Sequence, residues 1–315
     1  MRRSVTRFYL LALGLSWAGW IPFAASRAGL VAFVVPWEIP LLAQFGPSAA
    51  AFLLVLRREG RGGARRLLDQ ALRWRLHVGW WAVSLLTVPA MALGWVLLHA
   101  LLGHDVPGWD ALARWPARYA ETFGGGGVYA IDSTPHPSLG PIALLRRLVR
   151  ASPWLALANF VVFSLVTGPV SEEFGWRGWL LPRLQDRVSP LRASLVVGLL
   201  WGFWHTGPDF WRILLEGDLR AFIYPAAMTL GTLPLSVIFT WLYNGTGSSL
   251  LPPMLFHASF NATLSVLGLV WTSRSPLLVG GELVLGLWVL AAFLALRHGG
   301  RLLGGRGGAP ANASL

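Results

Sequence analysis

Long apolar runs separated by short arginine-rich segments make up most of the chain. A membrane-spanning helix needs about 20 mostly apolar residues, and eight runs come close to that requirement. They are residues 8–25, 39–56, 78–103, 151–171, 193–206, 221–243, 250–271 and 275–296. The pattern therefore predicts an all-α fold, a polytopic transmembrane helical bundle of about eight spans.

The composition excludes a soluble or a disordered protein. Of the 315 residues, 55% are hydrophobic and only 13% are charged, and the mean hydropathy is +0.56. A soluble domain of this length has about twice that share of charged residues, and disordered chains are low in apolar residues. An integral membrane protein is the class that remains.

All 26 basic residues are arginine, and they give a net charge of +12. Most of them stand at the ends of apolar runs, in segments 2–7, 57–75, 183–192 and 297–306. This placement favours anionic lipids as partners and no nucleic acid. Eight spans would put both termini and these segments on one side, so we expect a multi-pass protein of the cell membrane with cytoplasmic termini.

The arginine-only composition is typical of a bacterial genome rich in G and C. The chain has no cysteine, which excludes thiol nucleophiles, disulfides and iron–sulfur ligation. Arg146, Arg147 and Arg150 depart from the charge pattern, because eight spans would place them on the opposite side.

The chain divides into three parts. Residues 1–150 carry the N-terminal spans and a loop without a recognisable signature, and we expect little regular structure in 104–150, where glycine and proline are frequent. Residues 151–272 hold the polar residues that could carry chemistry. Residues 273–315 comprise the last span and a Gly/Arg-rich tail from Arg297, which we expect to be disordered.

Two adjacent carboxylates interrupt the fourth apolar run. Ionisable groups inside a membrane are costly and are retained where a partner, a cavity or a function holds them. On a helix, Glu173 and Arg177 are four residues apart and can pair, whereas Glu172 projects about 100° away. One carboxylate can thus be neutralised while the other stays available. The alternative is a helix end at the interface with a surface ion pair.

Two histidines and an asparagine occupy the later spans. His257 and Asn261 share one helical face, and His205 lies near the end of the fifth apolar run. A turn near Val188 would bring His205 to the depth of Glu172, so we expect these four side chains to converge. Each alone could equally be a packing residue, and the His/Asn pair could be a clamp between helices.

A convergent set of this kind suits amide hydrolysis. A carboxylate beside an imidazole can activate a water by general base catalysis, and a His/Asn pair can donate to a developing oxyanion. Glu172, His205 and His257 could alternatively bind a divalent metal such as zinc as two histidines and a carboxylate. The metal-free mechanism, which requires no cofactor, is the interpretation we favour.

The ordered motifs resemble those of a known family. Glu172-Glu173-x-x-x-Arg177, then His205, then His257-x-x-x-Asn261 are similar to the motifs of the type II CAAX prenyl endopeptidase and bacteriocin-processing family of membrane proteases, also called CPBP or Abi. The family commonly has phenylalanine four residues before the second-motif histidine, where this chain has Trp201.

The resemblance implies an intramembrane endopeptidase, a glutamate-type protease for which metal dependence is also considered. Glu172 and His205 would activate water, and His257 and Asn261 would hold the oxyanion. Glu173 and Arg177 would support the site. The eukaryotic and archaeal-like members remove a C-terminal tripeptide from a prenylated cysteine protein, whereas bacterial relatives are tied to bacteriocin maturation, self-immunity or the cell envelope. A peptide or protein substrate, lipidated or membrane-embedded, is therefore implied.

Two other functions remain open at this stage. The chain could be a non-catalytic immunity or chaperone factor of the membrane, a role also found in the family. It could also be an ion-coupled transporter that uses the same buried charges as an ion path. Replacing Glu172 by glutamine would separate the protease from the non-catalytic factor.

Overall fold

A computed structural model describes residues 2–125, 140–273 and 276–302, and the regular structure in these ranges is helical. The α-helices are α1 (Arg2–Arg27), α2 (Glu38–Ala43), α3 (Gly46–Ala71), α4 (Val78–Leu101), α5 (Trp109–Gly125), α6 (Gly140–Ala151), α7 (Pro153–Leu165), α8 (Ser171–Glu173), α9 (Leu181–Gln185), α10 (Pro190–Trp204), α11 (Pro208–Leu215), α12 (Tyr224–Gly245), α13 (Leu251–Val270) and α14 (Pro276–His298).

Short helical segments of other types complete this set. Two are π-helical, Val166–Val170 and Phe174–Leu180, and they join α7, α8 and α9 into one long span. Two are 3-10 turns, Leu219–Phe222 and Gly299–Arg301.

The predicted polytopic helical bundle is confirmed. Within the described residues, six helices are long and apolar enough to cross a membrane: Ser4–Arg27, Val78–Leu101, Pro153–Gln185, Tyr224–Gly245, Leu251–Val270 and Leu278–Arg301. Helix α10 is apolar but has only 15 residues. The bundle is thus the predicted one, with six full-length spans among the described residues.

The second predicted span, residues 39–56, is not one continuous helix. It is divided between α2 and α3 at Gln44 and Phe45, and Pro47 stands in the first turn of the new helix, where its missing N–H costs nothing. Helix α3 then runs on through the arginine-rich segment with a kink at Gly60, whose φ of +64° suits glycine. Its charged second half explains why α3 is not among the six.

The expectation of little regular structure in 104–150 is wrong for the described part of that segment. Helices α5 and α6 occupy much of it, and each contributes to a small apolar cluster with α7. Tyr119 of α5 and Val149 of α6 are fully buried in a cluster with Phe160 of α7. Burial of these side chains outweighs the local glycines and prolines. Residues 126–139, with most of the Gly/Pro-rich stretch, lie outside the described residues.

The C-terminal expectation is corrected in part. The last span continues past Arg297 to His298 and ends in the 3-10 turn Gly299–Arg301. Most of the Gly/Arg-rich tail, residues 303–315, lies outside the described residues.

Buried tryptophans form the centre of the bundle. Trp176, Trp179, Trp201 and Trp204 are each at most 1% exposed. Phe8 of α1 stacks on Trp179 with ring centroids 4.7 Å apart, and Trp176 meets Trp204 edge to face at 6.0 Å. The long span therefore packs against α1 and α10 through aromatic rings, which fixes where its polar residues lie.

Small residues allow α10 and α12 to approach closely. A Cβ on Gly198 or Gly202 would lie 3.0 Å or less from backbone atoms of α12. Thr232 and Ser236 of α12 donate hydrogen bonds across this contact to backbone carbonyls of α10, at 2.9 and 2.7 Å. Packing through small residues and hydroxyl groups is typical of helices in membranes.

The long span leaves helical geometry immediately before the two glutamates. Thr167 has ψ of 110° and Gly168 has φ of +100°, a conformation that favours glycine. The Ser171 hydroxyl accepts a hydrogen bond from the Gly168 N–H at 2.9 Å, and Ser48 of α3 donates to the Val170 carbonyl at 2.9 Å. These bonds satisfy backbone groups that the break frees, which a membrane interior requires.

Candidate active site

The two adjacent glutamates have different partners. Glu173 is fully buried, and its carboxylate pairs with Arg177 Nη1 at 3.0 and 3.1 Å. It also forms a 2.9 Å hydrogen bond with Nδ1 of His257. An ionised carboxylate only accepts hydrogen bonds, so Nδ1 of His257 carries the proton in this pair. The structure contains the Glu173–Arg177 pair that the spacing predicts.

Aromatic rings enclose the Arg177 guanidinium, which is 0% exposed. Its Cζ lies 4.4 Å from the centroid of Trp201 and 4.6 Å from that of Phe239. Cation–π contacts partly replace the lost hydration of a buried cation. The alternative of a surface ion pair at a helix end does not match this burial.

Glu172 is held by a tryptophan. Glu172 is only 4% exposed, and the indole N–H of Trp201 donates a hydrogen bond to its Oε2. No hydrogen bond or ion pair among the described residues joins Glu172 to His205, Arg177 or His257. The sequence predicts that His205 lies beside Glu172. The hydrogen-bond partner is instead Trp201, about one helical turn earlier on α10.

His205 follows the last residue of α10 and is half-buried. Its Nδ1 lies 3.0 Å from the Trp201 carbonyl oxygen, an acceptor, so Nδ1 is the donor and Nε2 is free to accept. The His205 ring centroid is 5.4 Å from that of Trp201, and the His257 centroid is also 5.4 Å away. Both imidazoles thus adjoin the residue that holds Glu172.

His257 and Asn261 converge on the break at Gly168. The point where a Cβ would stand on Gly168 lies 2.9 Å from His257 Nε2 and 2.8 Å from Asn261 Nδ2. A side chain on residue 168 would collide with both nitrogens, so glycine lets the two side chains approach the backbone of the break. The Asn261 amide also lies 3.5 Å from the Thr167 carbonyl.

A small recess adjoins this point. It lies between α5, the long span and α13 and has room for about one water molecule, and Asn261 and Thr167 form part of its wall. The remaining lining residues are Tyr119, Phe160, Phe163, Ser164 and Ser265. Aromatic rings and hydroxyl groups therefore border the space next to the His257–Asn261 pair.

The alternative metal site is not assembled from the predicted ligands. Across residues 2–125, 140–273 and 276–302, no three His, Asp or Glu side chains are placed to hold a metal ion. Glu172 is hydrogen-bonded to Trp201, and the Nδ1 of His257 faces Glu173. The geometry of Glu172, His205 and His257 does not fit a three-ligand centre.

A second polar cluster lies elsewhere in the bundle. Glu282 of α14, the isolated carboxylate of the last span, lies 2.9 Å from Nε2 of His99 on α4. Nδ1 of His99 in turn lies 2.9 Å from Nδ1 of His104.

Asn159, on α7, accepts a 2.7 Å hydrogen bond from the Tyr119 hydroxyl. These contacts give Glu282, His99 and Asn159 structural partners.

The sequence does not predict the roles of two residues of the site, Trp201 and Gly168. The motif marks Trp201 only as a departure from the family's phenylalanine, although its position four residues before His205 places it on the same helical face. Gly168 gave no signal beyond the Gly-Pro pair 168–169, which marks a break but not what faces it.

Comparison with known proteins gives a family match for this region. Residues 153–263 match the family model described as type II CAAX prenyl endopeptidase Rce1-like. The chain is also 28% identical over 116 residues to CAAX prenyl protease 2 of Methanococcus maripaludis, which covers 36% of this chain. The match spans 43% of that relative, less than half its length. The resemblance predicted from the motifs is confirmed, and the matched segment includes every predicted site residue.

Proposed function

We propose that this chain, whose residues 153–263 carry the CPBP-family segment, is an intramembrane endopeptidase in which Glu172 activates a water. The water oxygen attacks the carbonyl carbon of the scissile peptide bond while its proton passes to the Glu172 carboxylate. The proton then moves to the leaving amide nitrogen, the C–N bond breaks, and the products are a carboxylate and an amine. No covalent intermediate is needed.

The different partners of the two glutamates support the choice of base. Glu173 is occupied by Arg177 and His257, so its oxygens are engaged in the network that shapes the site. Glu172 has a tryptophan N–H as its hydrogen-bond donor and keeps capacity for a water. His205, with Nδ1 committed to a backbone carbonyl, can accept a second hydrogen bond from the same water through Nε2.

The convergence of His257 and Asn261 is the observation that carries the proposal. Because both nitrogens face the same stretch of backbone at Gly168, they can donate together to the oxygen of a tetrahedral intermediate that lies beside it. His257 donates through Nε2 when both ring nitrogens carry protons. The amide of Asn261 donates without any change in protonation.

The proposed substrate is a membrane-anchored peptide or protein cleaved near its C terminus. The name of the archaeal relative, CAAX prenyl protease 2, supports CAAX-type processing of a lipidated cysteine protein.

The experiment compares membrane peptides from cells that express the wild-type chain with those from cells that express Glu172→Gln. Glu282→Gln serves as the control, because Glu282 is another carboxylate in a span but belongs to the His99 cluster. We expect new C termini with the wild type and the control that are absent with Glu172→Gln. Identical peptide sets in all three strains would refute the proposal.

A further inference from the structure

We propose that Trp201 is a positioning residue that keeps the Glu172 carboxylate apart from the Arg177 guanidinium. This inference rests on the proposed role of Glu172 as the base. It assigns to Trp201 a function that a phenyl ring at the same position could not perform, because the function depends on the indole N–H.

Trp201 contacts every charged or titratable side chain of the site except Glu173. Its N–H donates to Glu172 Oε2, and its ring lies over the Arg177 guanidinium at 4.4 Å. The edges of both imidazoles, His205 and His257, meet the same ring at centroid distances of 5.4 Å. The side chain is 1% exposed, so packing fixes its orientation.

The guanidinium is a competitor for Glu172. Arg177 gives Nη1 to Glu173, whereas its buried Nε and Nη2 have no hydrogen-bond partner among the described residues. A carboxylate that reached these N–H groups would gain a charge-assisted hydrogen bond. Glu172 would then be neutralised like Glu173, and a base for water would be lost.

Trp201 prevents this collapse in two ways. Its ring occupies one face of the guanidinium, and its N–H holds one Glu172 oxygen in a fixed direction. An indole N–H only donates, so it binds the carboxylate without adding a competing charge. A carboxylate can accept about four hydrogen bonds, so Glu172 keeps capacity for the water.

The test uses Trp201→Phe, which keeps an aromatic ring and removes the donor. Trp204→Phe is the matched control. Trp204 lies on the same helix, is also 1% exposed, donates its N–H to the Ser16 hydroxyl at 2.8 Å and contacts His205 edge to face. Both variants lose one buried N–H and a similar volume, but only one of them loses a bond to Glu172.

Kinetics are measured on the full chain in detergent, with an internally quenched reporter peptide that copies a cleavage site found in the membrane comparison. For Trp201→Phe we expect kcat to fall about 10- to 100-fold, the effect of one hydrogen bond to a charged group, with KM nearly unchanged. Trp204→Phe should keep the wild-type kcat. A purely structural role would lower the thermal midpoints of both variants alike and leave kcat of the folded fraction intact.

A second variant separates the loss of the N–H from any change in packing. Incorporation of 3-benzothienylalanine at position 201 replaces the N–H by sulfur and keeps the bicyclic shape, so packing is preserved. We expect it to lower kcat as Trp201→Phe does. A wild-type kcat for this variant, with Glu172→Gln inactive, would overturn the role of Trp201 and leave the proposed function standing. Full activity of Glu172→Gln would instead overturn the proposed function.

Discussion

Replacing Glu173 by glutamine should destabilise the protein strongly, because it leaves a buried cation without its counterion. Arg177 and Glu173 are both fully buried and 3.0 Å apart, and the same carboxylate accepts from His257 at 2.9 Å. Removal of one partner of a buried ion pair costs about 3–5 kcal/mol. We expect a loss of that size in the free energy of unfolding of Glu173→Gln.

The double variant Glu173→Gln/Arg177→Met makes this expectation specific. It removes both charges, and replacement of a whole buried pair costs far less than breaking it. The loss in the free energy of unfolding of the double variant should therefore be smaller than the sum of the two single losses by about 2 kcal/mol or more. Independent sites scatter by much less than this.

Equilibrium unfolding in mixed micelles of mild detergent and dodecyl sulfate, followed by circular dichroism, measures these free energies. Glu59→Gln is the control, since Glu59 pairs with Arg66 at 2.7 Å on the exposed part of α3. An exposed pair contributes about 1 kcal/mol or less. Additive losses in the double variant, or a loss for Glu173→Gln no larger than for the control, would refute the reasoning.

Three further predictions concern the same reporter peptide. Asn261→Ala should lower kcat about 10²- to 10³-fold, as loss of one oxyanion donor does, whereas Asn244→Ala, which loses hydrogen bonds to Gln185 and Leu302, should not; equal effects would contradict the oxyanion role. Gly168→Ala should abolish cleavage because its Cβ would stand 2.8 Å from the Asn261 amide, while Gly217→Ala, also at positive φ but in open space, should remain active. Glu282→Leu should lower the thermal midpoint and leave kcat of the folded protein unchanged; a lost kcat would connect its cluster to the site.

Much of the bundle follows from the sequence because burial in lipid leaves a strong signal. The apolar runs at 78–103, 221–243 and 250–271 agree closely with α4, α12 and α13. The division of 39–56 into α2 and α3 was not predicted, since hydropathy alone does not register where a helix stops and restarts. The helices α5 and α6 were missed because glycine and proline in 104–150 outweighed the apolar stripe at helical spacing.

The sequence motifs supply the residues of the candidate site, but they predict the contacts among those residues less well. The spacing of Glu173 and Arg177 suffices for their pair, because i and i+4 face each other on a helix. The hydrogen bond between Trp201 and Glu172 depends on the register of α10 against a span with two π-helical segments. Because of that register, Glu172 meets Trp201 and not His205, one turn later at the end of α10. No sequence pattern predicts the register.

The most direct test of Glu172 as the base is the kcat of purified Glu172→Gln on the reporter peptide. The amide keeps the size of the side chain and can still accept from Trp201, but it cannot take a proton from water. The thermal midpoint should stay close to the wild-type value, while kcat should fall about 10²- to 10⁴-fold, the range for a lost general base. A folded Glu172→Gln variant with the wild-type kcat would contradict the proposed mechanism.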